Sequence, residues 1–164
     1  MSIFLLNLKD ANPQQLEEFS KITNNLETMK FVQKGTLWSK NYINELYKNS
    51  IYDDKIEKRY FHWLVIHHET VVGYVGIRPL SKNYGMGNDE FQDRIIISPQ
   101  GRGYGTIATH LLIENYPLNK RFLWSVIDYN NIASIKLKEK MGWKFVKSKN
   151  LFGVKSYFYV REMI

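Results

Sequence analysis

A chain of 164 residues with 44% hydrophobic and 15% aromatic content has enough apolar mass to bury a core, which excludes a disordered polypeptide. It contains no cysteine, which excludes a disulfide framework, a thiolate zinc site and a catalytic thiol. Its 23 Lys and Arg against 16 Asp and Glu leave a formal charge of +7. On its own this reads first as a solvated lysine-rich surface, the lysines being scattered, and otherwise as a preference for nucleic acid, acidic surfaces or a phosphate-rich ligand.

No internal repeat, low-complexity segment or Pro/Ser-rich linker interrupts the chain, so one domain over 1–164 is expected. The first apolar run, "SIFLLNL" (2–8), is too short for a signal-peptide core and reads as a strand. No apolar run approaches the ~20 residues of a membrane span, so a soluble cytoplasmic protein without a membrane partner is expected.

Asn12-Pro13 then supplies a cap and a proline at the first helical position. The helix continues with Leu16, Phe19 and Ile22 on one side. A second helix is expected over 36–50, with Leu37, Tyr42, Ile43, Leu46 and Tyr47 apolar. After Arg59 the pattern turns to strands: "YFHWLVIH" and "VVGYVGIRPL" read as a hairpin across "HET", and "FQDRIIIS" (91–98) follows a loop. A helix over about 103–115 comes next, then the strand "FLWSVI", the helix "NIASIKLKEK" and two strands, "WKFVKS" and "KSYFYVRE". The order β-α-α-β-β-β-α-β-α-β-β predicts a mixed sheet with helices on its faces.

One junction concentrates the chemistry. The strand ending at Ile97 runs into "SPQGRGYGT", with Gly101, Gly103 and Gly105 at every second position, and then into a helix. Unpaired N–H groups of a first helical turn point one way, with the helix dipole behind them, and glycine lets an anion approach the backbone. The segment therefore reads as a phosphate cradle, with Arg102 adding a charged contact. It lacks the Gly-Lys-Ser/Thr of a phosphate loop and the G-x-G-x-x-G of a dinucleotide fold.

The string Gln100-x-x-Gly103-x-Gly105 after a buried strand resembles the acetyl-CoA pyrophosphate loop of the GNAT superfamily of N-acetyltransferases. A second match follows in "DYNNIASIKLKEKMGWKFV", where Asn131, Ser134, Lys140, Gly142 and Trp143 fill the positions of the family's later segment. With Ala133-Ser134, this form is most similar to the branch typified by the ribosomal-protein alanine N-acetyltransferases. The resemblance covers roughly 60–160. It implies an α/β (α+β) fold with a mixed, mostly antiparallel central sheet, a splayed parallel strand pair and helices on both faces.

The resemblance also implies acetyl-CoA as co-substrate, direct transfer of its acetyl group to a primary amine, and roles for particular residues. Ile95, Ile96 and Ile97 would pair with the pantetheine arm, and amides from Gln100 and Gly101 through Arg102, Gly103, Tyr104, Gly105 and Thr106 would hold the pyrophosphate. Asn131 would contact the cofactor arm, and Lys138 or Lys140 would reach the ribose phosphate unless both are solvated surface lysines. Many members place a general-acid tyrosine seven residues after the asparagine, and here that position is Lys138. In the N-terminus-acetylating branch the serine is implicated instead, so Ser134 is either catalytic or an ordinary helix-start serine. Asp93, which shares pleat parity with Ile95 and Ile97, is the expected base, with Glu90, Asp128 or a water chain behind it.

Other features read more plainly. His67 and His68 are neighbours in a strand and are expected to face opposite ways, which makes no metal site. Trp38, Tyr42 and Tyr47 either line an acceptor pocket or pack in the core, and the loops near 81–89 and 149–156 are expected to set acceptor specificity. The acceptor stays open among protein N-terminus, lysine side chain, polyamine and amino sugar, as does the choice of monomer or homodimer. The rival function is a non-catalytic CoA-binding or nucleic-acid-binding module on the same fold. No recognition helix or interleaved Arg/aromatic strand motif supports nucleic acid.

Overall fold

The computed structural model describes residues 3–53, 59–87, 89–98 and 103–164. Its strands are β1 (Ile3–Asn7), β2 (Phe61–His67), β3 (Thr70–Pro79), β4 (Phe91–Ile97), β5 (Phe122–Asp128), β6 (Lys144–Leu151) and β7 (Val154–Glu162). The helices are α1 (Pro13–Thr23), α2 (Leu26–Met29), α3 (Lys40–Asp53), α4 (Tyr104–Glu114) and α5 (Ile132–Lys140), with short 3-10 turns between. One seven-stranded sheet runs β1-β2-β3-β4-β5-β7-β6. Every neighbouring pair is antiparallel except β4–β5.

Strand alternation sorts the apolar residues onto two faces. Val65, Val75, Ile77, Leu123 and Ile127 pack with Ala108 and Leu112 of α4 and Ile135 of α5. Leu64, Ile66, Tyr74 and Ile96 pack with Phe19 and Ile22 of α1, Met29 of α2 and Ile43 of α3. The sheet thus separates two cores, and each strand at its centre serves both.

Local sequence explains the boundaries. Asn12 and Gln15 form a reciprocal capping box, with Asn12 Oδ1 accepting from Gln15 N at 2.8 Å and Gln15 Oε1 accepting from Asn12 N at 2.9 Å. The second predicted helix starts later than expected, at Lys40. Trp38 is instead drawn into the core, 4% exposed, with its N–H donating to Thr23 O at 3.1 Å. Ser39 then caps α3 by accepting from Tyr42 N. The β2–β3 connection is a two-residue turn, His68 and Glu69, with φ of +50° and +63°. That turn overturns the expected divergence of the histidines: His68 has left the strand, and its ring lies 4.0 Å from that of His67, centroid to centroid.

Candidate active site

The site begins where the sheet stops being a sheet. β4 pairs with β3 along its whole length, Phe91 to Ile97, but its parallel ladder to β5 is one register point long, Gln92 with Trp124. Beyond that point the β5-facing edge of β4 has no strand partner, although backbone groups on a buried edge call for hydrogen bonds. A cleft of about 710 Å³ fills the gap and is lined by Ile95, Ile96 and Ile97 on one side and Ser125 to Asp128 on the other.

α4 starts at the mouth of this cleft. Gly103 at its N-cap holds φ +81°, in the left-handed region that glycine enters at no steric cost. A Cβ there would meet only open space, whereas one on Gly105 would come 3.4 Å from Leu137 Cδ2 of α5. The two glycines therefore answer different needs: a backbone turn at 103, close helix–helix approach at 105. Gly105 borders the cleft, and Thr106 lies half-buried in the same helical turn. Tyr104 sends its hydroxyl to His67 Nδ1 at 2.6 Å, which ties the helix start to the end of β2. Gln100, Gly101 and Arg102 of the predicted cradle lie outside the described residues.

α5 supplies the opposite wall through Asn131, Ala133, Ser134, Leu137 and Lys138. Asn131 is the N-cap, its Oδ1 accepting from Ser134 N at 3.2 Å. The helix-start role open to Ser134 is thus taken by Asn131. The Ser134 hydroxyl makes no hydrogen bond among the described residues and borders the cleft.

Lys138 corrects two expectations at once. It is neither solvated nor on an outer face toward a ribose phosphate; it is 4% exposed. Its Nζ is ion-paired with Asp93 Oδ2 and lies 4.2 Å from the Trp143 ring. Asp93, 8% exposed, accepts from Ser125 Oγ at 2.6 Å through its other oxygen. Asp93 does share the pleat face of Ile95 and Ile97, but both its oxygens are engaged, so it is not the free base expected from the sequence. The signal for Lys138 was available in the helix period, since it lies three residues after the buried Ile135.

The other wall comes from the N-terminal half and the last hairpin. The loop after α2 contributes Phe31 to Lys34, and Leu151, Phe152 and Val154 come from the β6–β7 hairpin. Trp38, Tyr42 and Tyr47 do not line the cleft; Trp38 belongs to the core. Arg78 and Arg94, on the α1–α3 face of the sheet, do. Sequence reasoning passed over both arginines. Glu90, a runner-up for the base, stays outside the cleft lining, while Asp128 lines it and accepts from Asn130 N at 2.9 Å. Among the described residues no group of three or more His, Cys, Asp or Glu is placed to hold a metal, and no helix is long and apolar enough to cross a membrane.

A family model described as "Acetyltransferase (GNAT) domain" matches residues 6–144. The chain belongs to the GNAT acetyltransferase family. Its fold is similar to that of Campylobacter jejuni N-acetyltransferase PseH solved with acetyl coenzyme A, at 14% identity and TM-score 0.70, over 99% of this chain and 100% of that one. It is similar as well to Vibrio cholerae spermidine N-acetyltransferase in complex with CoA and spermine, at 16% identity and TM-score 0.77, over 98% and 95% of the two chains. An N-acetyltransferase from Staphylococcus aureus Mu50 matches at 16% identity and TM-score 0.72, over 100% of both. Comparison with curated protein sequences finds no match. This GNAT chain keeps the split strands of the fold but places a buried lysine–aspartate pair at the floor of the split.

Proposed function

We propose that this GNAT acetyltransferase moves the acetyl group of acetyl-CoA directly to a primary amine in the cleft between β4 and β5. The observation that carries this reading is the one-point ladder between those strands, with the N-terminus of α4 at its mouth. The residues present fit acetyl-CoA: an unpaired strand edge suits the amides of a pantetheine arm, and the first-turn amides of α4 suit a pyrophosphate.

Acetyl-CoA supplies an activated acyl group. In the overall exchange a carbon–nitrogen bond forms and a carbon–sulfur bond breaks with its electron pair leaving on sulfur. The ammonium gives up one proton before attack and the nitrogen of the tetrahedral adduct gives up a second; thiolate sulfur takes one and solvent takes the other. Lys138 holds a proton at Nζ inside the cleft and is our candidate donor to sulfur. Asp93 and Trp143 fix that ammonium in place, so Asp93 is a positioning residue. The Ser134 hydroxyl, unengaged at the start of α5, is the second group able to relay a proton. Lys138 and Asp93 are almost wholly removed from bulk water, which strengthens the charges they hold.

The test is release of free thiol from acetyl-CoA with and without amines, set against calorimetric binding of acetyl-CoA. Gly103→Asp puts a carboxylate where an anion is expected, in open space and at a φ that Asp tolerates better than most residues. The expected result is about a hundredfold weaker acetyl-CoA binding with the fold retained. Undiminished affinity in that variant overturns the cradle, and binding without amine-dependent thiol release favours a non-catalytic module.

A further inference from the structure

The cleft has a second electrostatic feature, on the face of the sheet away from α4 and α5. Arg94 follows Asp93 on β4 and so points the other way, and Arg78 lies on the neighbouring strand, opposite Gln92 in the register. Both line the cleft, as does Lys34 from the loop after α2. Among the described residues none of these three cations has an ion pair. The guanidinium of Arg94 instead rests 5.8 Å from the Trp38 ring. The charged or ionisable groups felt by Arg94 are Arg78 and the hydroxyls of Tyr74, Tyr42 and Tyr84, with no carboxylate among them. Burial, with Arg78 adding to it, pushes Arg94 down to about 10, so it stays charged at neutral pH while lacking a counter-ion. The cleft's two acids do not answer it: Asp93 is paired with Lys138, and Asp128 caps the turn before α5.

Two half-buried, unpaired arginines at diagonal positions on one face of β3 and β4 suit a carboxylate or a phosphate held between them. They would repel a polycation such as a polyamine. Lys34 stands 6.0 Å from the Phe152 ring at the tip of the β6–β7 hairpin and brings a third positive charge to the same wall. Resting on the acetyltransferase reading, we infer that the acceptor is a small primary amine bearing a carboxylate or phosphate, whose anion is held by Arg78 and Arg94 and whose amine reaches the split between β4 and β5. This separates the chain from the Vibrio cholerae fold relative, whose complex contains spermine.

The experiment measures kcat/KM for acetyl transfer to matched amines: O-phosphoethanolamine against ethanolamine, β-alanine against β-alaninamide, and spermidine alone. The first two pairs separate phosphate from carboxylate. At least one anionic amine is expected to exceed its neutral partner by about tenfold or more. That advantage is lost in Arg78→Met and Arg94→Met, while acetyl-CoA affinity by calorimetry changes less than about twofold. Arg94→Lys, which keeps the charge and the stem but not the fork, guards against a folding artefact and is expected to lose most of the preference. As a readout apart from turnover, inorganic phosphate raises the unfolding midpoint of the wild-type protein more than that of Arg78→Met. Equal rates within both pairs, or a preference for spermidine, overturns the inference. Failure to bind acetyl-CoA, or binding with none of the five amines acetylated, overturns instead the acetyltransferase reading beneath it.

Discussion

Two consecutive residues of β4 carry opposite charges into opposite halves of one cleft, and they are treated in opposite ways. Asp93, toward α5, is closed off: Lys138 and Ser125 take its oxygens, and Trp143 covers the ammonium. Arg94, toward α1–α3, is left without a counter-charge. A buried pair is part of the fold, because breaking it strands a charge away from water. A lone cation at a cleft wall is a cost the fold carries for the sake of something that comes from outside. On the proposed reading, the contrast separates the half of the site that conducts the chemistry from the half that chooses the acceptor.

The sharpest way to break this contrast is to unpair the closed side. Lys138→Met is expected to cost about 3–5 kcal/mol of folding stability in urea denaturation, with the Asp93→Leu/Lys138→Met double variant costing less than the single one. A single variant as stable as wild type would mean that the pair is solvated. Next in size is Ser134→Ala, expected to lower turnover about 10²-fold while calorimetric affinity for acetyl-CoA is kept. Unchanged turnover leaves proton transfer to Lys138. On the open side the expectation reverses: Arg94→Met should shift stability by less than about 1 kcal/mol, because no ion pair is lost. A loss as large as that of Lys138→Met would show an internal partner and remove the contrast.

The smallest effect is a matter of pH. His67 sits below its usual range because burial and then the neighbouring His68 oppose its charged form, and its Nε2 is enclosed without a partner. A folded-state value below the unfolded one contributes stability that is present above about 6.5 and lost as the pH falls through the folded value. Thermal unfolding midpoints should therefore drop on acidification below that point, and His67→Gln should flatten the drop. An equal slope in both proteins would place the acid sensitivity elsewhere.

Much of the cofactor half was legible because backbone rules dictate it. The strand-to-helix junction that opens α4 at Gly103 and the parity that unites Asp93 with Ile95 follow from local sequence. The rest was not legible, for reasons that are equally physical. Trp38 reads as one more residue of a helical stripe, yet the chain stays extended there and buries it between Phe19 and Tyr74. The histidine pair reads as strand, yet two residues with positive φ turn it. Lys138 falls on the buried stripe of its helix, but the identity of its partner, Asp93, 45 positions earlier, cannot be read from that period. Arg78 and Arg94 are ordinary surface types until the register of β3 and β4 sets them diagonally on one face of the sheet.

Gly76 deserves a last look for what its missing side chain permits. It lies across from Arg94 in the sheet, and a Cβ there would collide with the Tyr74 hydroxyl. The Tyr74 phenol bonds His62 Nδ1 at 2.6 Å, stacks on Phe19 and meets the edge of Trp38, which in turn supports the guanidinium. The strain of one added methyl group at this spot would pass through two rings, Tyr74 and Trp38, before it reached the guanidinium of Arg94. On the proposed acceptor reading, the guanidinium of Arg94 is therefore oriented by Trp38 and, through it, by the core under the amino-terminal helices.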